Sequence, residues 1–87
     1  MSSLSISNPV VALDGVEFTG AHRGVEQKFL VYRDALEDLE YQLFETDEAL
    51  MQAFARHRGH IAEVAAKALG EGKGGVGKTV LLQTLLL

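Results

Sequence analysis

Val16-Glu17-Phe18-Thr19-Gly20-Ala21-His22-Arg23-Gly24-Val25-Glu26-Gln27-Lys28-Phe29-Leu30-Val31 decides the fold. Val16 and Phe18 alternate with Glu17 and Thr19, and after a break Val25, Gln27, Phe29 and Val31 resume the same period of two. Successive side chains of a strand point to opposite faces, so this alternation marks two strands with one buried face each. His22-Arg23-Gly24 supplies turn chemistry between them, and the pair reads as an antiparallel hairpin.

Toward the N-terminus, Leu4 and Ile6 alternate with serines. They suggest a short leading edge strand, which Pro9 interrupts because it has no N–H to donate to a ladder. Toward the C-terminus the period changes. Leu36, Leu39 and Leu43, with Phe44, fall three to four residues apart as on one face of a helix. Asp34, Glu37 and Asp38 lie near its start, where the helix dipole favours negative charge. A second, long helix begins at Thr46 or Asp47, either of which can cap its free N–H groups. Its buried face reads Leu50, Phe54, Ile61, Ala65 and Leu69. Gly70, Gly72, Gly74, Gly75 and Gly77 end it, and the apolar stretch Thr79 to Leu87 is read as a terminal strand that gives the hairpin a further partner. The expectation is an α+β fold, with residues 1–87 as one domain. It has a three- or four-stranded antiparallel sheet in the order β-β-α-α-β with a possible leading strand, two helices on one face, and a glycine-rich loop at 70–78 before the last strand.

Composition narrows the function classes. A chain of 87 residues with 47% apolar and 23% charged side chains has material for one core, burying roughly 60 to 65% of its unfolded surface. It holds no cysteine, so it has no disulfide framework, thiolate metal site or cysteine nucleophile, in keeping with a reducing cytoplasm. No apolar run reaches the ~18 residues needed to span a bilayer, and Met1 to Asn8 lacks the basic start and apolar run of a signal peptide. The net charge of −4 is divided unevenly: acids crowd the stretch from Asp34 to Glu48, and bases dominate from Ala49 onward.

Gly72-Lys73-Gly74-Gly75-Val76-Gly77-Lys78-Thr79 satisfies the Walker A pattern as a string. In a working phosphate loop Gly72, Gly74 and Gly77 would open the backbone to phosphate, Lys78 would reach the β and γ oxygens, and Thr79 would bind Mg²⁺. That chemistry requires a buried strand before the loop and a helix after it. The preceding residues, His60 to Leu69, read as an alanine-rich helix, and the residues after Thr79 include no acid to hold Mg²⁺. The glycines are therefore read as a connection between helix and strand, with anion binding as the alternative. His57, His60 and Glu63 are spaced three apart on one helix but bring no fourth ligand, so surface histidines are preferred to a metal site. Arg56, His57, Arg58 and His60 form a basic cluster, yet the acidic total and the lack of interleaved aromatics argue against nucleic acid.

The hairpin followed by Val31-Tyr32-Arg33-Asp34-Ala35-Leu36, then Phe54-Ala55-Arg56-His57-Arg58 with Ile61 and Ala65, resembles the bacterial family called domain of unknown function 1488. The resemblance spans nearly the whole chain and rests on packing positions. It implies a small α+β protein with no assigned activity, in which Val76 to Leu82 would form a turn and a terminal strand. Departures are Lys73 and the extra glycines, where the family pattern is more polar, and Leu85-Leu86-Leu87, where an acid would be expected.

No nucleophile, base and orienting group occur together at workable spacing, so the reading is a non-enzymatic interaction or regulatory module without catalytic residues, cofactor or metal. Its partner would be another protein or a second copy, met through an exposed apolar tail at Leu81 to Leu87. A nucleotide- or phosphate-binding protein using Gly72 to Thr79 is the alternative, and a nucleic-acid binder using Arg56 and Arg58 is a third.

Overall fold

The hairpin is the centre of the molecule. In the computed structural model, which describes residues 4–85, β2 (Gly15–His22) pairs antiparallel with β3 (Val25–Tyr32) in unbroken register from Gly15↔Tyr32 to His22↔Val25. Arg23 and Gly24 make the two-residue turn, both with positive φ, at 53° and 79°. This is the backbone form whose twist matches that of the flanking strands. Phe18 and Phe29, directly opposite each other, stack with centroids 5.1 Å apart, and Phe54 from the helical layer tilts against Phe18 at 5.4 Å.

β1 (Ser5–Ala12) joins β2 as an antiparallel edge strand. Pro9 does not end it. The register shifts between Ser7 and Val10, where Asn8 takes φ +53°, so the proline sits in an irregularity and pairing resumes through Ala12. A bulge accommodates a residue that cannot donate, which alternation alone does not reveal.

Three helices follow β3 rather than two. α1 (Arg33–Glu40) starts directly after the strand, its first amide donating to Asp14 O at 2.8 Å. It stops at Tyr41, which adopts the left-handed conformation with φ 54°. Leu43 therefore lies beyond the helix and is 77% exposed, while Phe44 alone turns inward, its amide donating to Glu37 Oε2 at 3.0 Å. α2 (Asp47–Arg56) is capped as expected, Thr46 Oγ1 accepting from the Ala49 amide at 3.1 Å. The single long helix read from the sequence is broken at His57, whose backbone takes φ −106° and ψ 18°, and α3 (Arg58–Gly70) follows. Leu50, Phe54, Ile61 and Ala65 are nonetheless all buried, because the two segments share one apolar face; Leu69 is only partly buried.

β4 (Thr79–Leu82) pairs with β3 in parallel, Lys28↔Thr79 through Val31↔Leu82. The antiparallel expectation is corrected here. The helices carry the chain back along one face of the sheet, so β4 re-enters running the same way as β3. The architecture is β-β-β-α-α-α-β, with a four-stranded mixed sheet in the spatial order β1-β2-β3-β4. Leu4, Ile6, Val16, Phe18, Phe29, Val31, Val80 and Leu82 line the helix-covered face. Any one large core residue matters: truncating Phe54 to alanine would cost about 3–5 kcal/mol.

The apolar end of the chain is not the exposed tail expected. Leu82 and Leu85 are buried at 4% and 1% exposure, and only Leu81 stands out, at 47%. Leu86 and Leu87 lie outside the described residues. Among the described residues no helix is long and apolar enough to cross a membrane.

Candidate functional site

The glycine-rich loop is a built connection. Gly72, with φ 81°, takes the left-handed position after α3; its amide donates to Leu69 O at 3.0 Å and that of Lys73 to Ala68 O at 3.1 Å. Those two bonds make the Schellman end of a helix. Gly74 packs so tightly that a Cβ there would lie 2.6 Å from Leu69 Cδ2 and 3.0 Å from Gln27 Oε1. Lys78 N donates back to Gly75 O at 3.1 Å, closing a turn in which Gly77 has φ 76°.

Gln27 holds this loop to the sheet. It occupies a core-facing strand position and is 8% exposed. Its Oε1 accepts from the Gly75 amide at 2.8 Å, and its Nε2 donates to Lys78 O at 2.6 Å and to Lys28 O at 3.3 Å. The alternation places Gln27 inside, and a buried amide in a strand is itself the signal that something must satisfy it; the partners, 48 and 51 residues away, leave no local mark.

The structure thus brings Gly72, Gly74, Gly77, Lys78 and Thr79 into one loop but spends the amides of Gly72, Lys73, Gly75 and Lys78 on the protein's own oxygens. Thr79 opens β4 opposite Lys28. The order is helix, loop, strand. The helix end beside the loop is a C-terminus, where the dipole is negative and repels an anion, whereas a phosphate loop uses an N-terminus.

The basic cluster is likewise spent. Arg56 grips Glu40 with two bonds, Nε to Oε2 at 3.0 Å and Nη2 to Oε1 at 2.8 Å, and His57 Nε2 donates to Glu40 Oε2 at 2.8 Å. Arg58 Nη2 donates to Ile6 O of β1, and His60 Nε2 donates to Leu85 O beyond β4. The ties of these four residues of the α2–α3 junction therefore reach α1, β1 and the segment after β4. They aim the histidines apart, and no cluster able to hold a metal occurs among the described residues.

Glu40 ends α1, whose last turn holds no base. A carboxylate there opposes the helix dipole, and the bases at the end of α2 answer it. The Arg56 hydrogen bonds, opposed by partial desolvation and aided by His57, hold the Glu40 carboxyl below its ordinary value of 4.5. Beside this triad lies a shallow cleft of about 640 Å³, lined by Gln42, Phe44 and Gln52. The carboxylate and the two bases satisfy one another, so the cleft offers hydrogen bonding but no unpaired charge. Sequence reasoning missed Glu40 because the α1–α2 turn had to be known before the pair could be seen.

A family model described as a protein of unknown function (DUF1488) matches residues 11–81. The chain belongs to the DUF1488 family. A crystal structure of a protein of unknown function from this family, from Shewanella loihica PV-4 at 1.60 Å resolution, superposes with a TM-score of 0.81. It is 19% identical and covers 94% of this chain and 93% of that one, a likeness of fold. No curated protein matches the chain. Of the residues through which the sequence resembles the DUF1488 family, the stretch Phe54 to Arg58 with Ile61 and Ala65 packs the α2–α3 junction and sends out polar ties.

Proposed function

We propose that this DUF1488 protein is a non-enzymatic interaction module of the cytoplasm. The observation that carries the reading is how polar and apolar groups are distributed. Gln27, Glu40, Arg56, His57, Arg58 and His60, the polar side chains that the sequence or the burial pattern singles out, are engaged in ties between elements. Large apolar side chains stand in water at separate places: Tyr41 and Leu43 at 96% and 77% exposure, Val76 fully, and Leu81 at the sheet edge. Apolar side chains left in water beside a junction fixed by polar ties are suited to presenting a surface.

The test is photo-crosslinking in living cells with a photoreactive amino acid placed singly at Tyr41, Val76 and Leu81. A discrete crosslinked band at one position, absent at the others, is the expected result. No crosslink at any of the three would overturn the reading.

A further inference from the structure

We infer that the sheet face left bare by the helices is the surface on which a second copy of this chain docks, a proposal that rests on the interaction reading above and names its partner. The helices bury one set of alternate strand positions, so the other set looks away from them. Cross-strand register arranges that second set in rows. The central row is Val10, Glu17, Leu30 and Leu81, one residue from each strand, and its two ends, Val10 and Leu81, are 60% and 47% exposed. The neighbouring row is Ser7, Thr19, Lys28 and Thr79.

Two adjoining strands lack the alternation of a face left in water. Phe29-Leu30-Val31 in β3 and Val80-Leu81-Leu82 in β4 are apolar at every position, and β3 and β4 are the parallel pair. Continuous apolar runs in parallel neighbours belong to strands covered on both sides. The helical layer buries Phe29, Val31, Val80 and Leu82, whereas among the described residues no second layer lies over Leu30 and Leu81. Strands of eight, eight, eight and four residues, about 4.8 Å apart, make a face of roughly 500 Å². Two such faces together would bury about 1,000 Å², the size at which a specific, reversible interface begins.

The face is complementary to itself. Turned over about a two-fold axis that runs along the strands between β2 and β3, a second sheet lays its β4 on β1 and its β3 on β2. Val10 then meets the partner's Leu81, and Lys28 comes beside the partner's Glu17. Each contact occurs twice, as an isologous interface requires. Glu17 and Lys28 are exposed, and neither side chain enters an ion pair within the chain among the described residues. Stacked sheets lie about 10 Å apart, a gap that a lysine and a glutamate reaching toward each other can bridge. Glu26, the other acid of this face, stands at the hairpin end, two positions along β3 from Lys28, at the rim where water screens it. A partner with one sign of charge would gain at Glu17 what it lost at Lys28, or the reverse; one carrying both at this spacing satisfies both.

The test is sedimentation equilibrium of the full chain over a range of concentrations, where the parent is expected as a reversible dimer. Glu17→Lys and Lys28→Glu, each with its fold checked by circular dichroism, should each weaken the dimer at least about tenfold, because each sets like charges against one another twice across the axis. The two reversals in one chain should return the affinity to within about threefold of the parent, since the exchanged pair is again complementary. A parent that stays monomeric up to about 1 mM, a dimer that neither single reversal weakens, or a double reversal no better than the singles would each overturn the proposal. In the crosslinking experiment above, a band at twice the chain's mass from Leu81, with none from Tyr41 or Val76, supports the pairing. Bands from Tyr41 or Val76 alone, with a monomer in sedimentation, would overturn the pairing while leaving the interaction reading intact; a monomer with no crosslink at any position would remove both.

Discussion

At the scale of single residues, Gln27 has the largest consequence for its size. Its amide satisfies one donor and one acceptor of the glycine-rich loop at once, so replacing it with leucine, which keeps the bulk, strands both inside. Leaving a buried polar group unsatisfied costs about 1–3 kcal/mol. Gln27→Leu should lower the urea midpoint by a corresponding amount at unchanged m-value, and the Gly75 amide should exchange with deuterium faster than in the parent. Tyr41 carries the opposite prediction. It holds a left-handed backbone with φ 54° while its ring is 96% exposed, so it bears the Cβ strain of that conformation with little packing in return. Tyr41→Gly should raise stability by up to about 1 kcal/mol, measurable as a higher melting temperature. A fall would show that the ring is more than an exposed side chain.

Among elements, the junction of α2 with α3 organises the helical layer, and Glu40 is where α1 is fastened to it. The folded carboxyl titrates below its ordinary 4.5, so it adds stability above that pH and loses the contribution as pH falls through the lowered folded value. Glu40→Gln should therefore be less stable than the parent near neutral pH, and the gap should close in acid; a gap constant from pH 7 to pH 3 in chemical denaturation would contradict the assignment. The elements were unevenly legible in the sequence. The β2–β3 hairpin, the burial of Phe54, Ile61 and Ala65, and the Thr46 cap are local patterns, and local patterns survive folding. The direction of β4 was not legible, because Val80 and Leu82 alternate identically in parallel and antiparallel strands. Nor was the break at His57, where no proline marks the chain and the turn is instead enforced by ties to Glu40 and Ile6. The candidate site was half readable. The residues Arg56, His57, Arg58 and His60 stood out as a cluster, but whether their charges meet solvent or protein depends on contacts 16 to 52 residues away.

For the molecule as a whole, the reversed order of helix, loop and strand gives a direct expectation about nucleotides. Mg²⁺ with millimolar ATP or GTP should leave the melting temperature unchanged in the parent and in Lys78→Ala alike, whereas a ligand at about 100 times its dissociation constant would add about 2.7 kcal/mol. A nucleotide-dependent rise lost in Lys78→Ala would make the loop an anion site despite its helix C-terminus. The strand directions have a mechanical side as well. β1 runs antiparallel to β2 and β2 to β3, while β4 is parallel to β3, so β1 and β4 occupy opposite edges and point the same way. Tension applied between Ser5 and Leu82 would pull the two edge strands lengthwise in opposite senses, loading the rungs of each ladder together in shear. A protein tethered through these two positions would give way abruptly at high force instead of unzipping rung by rung.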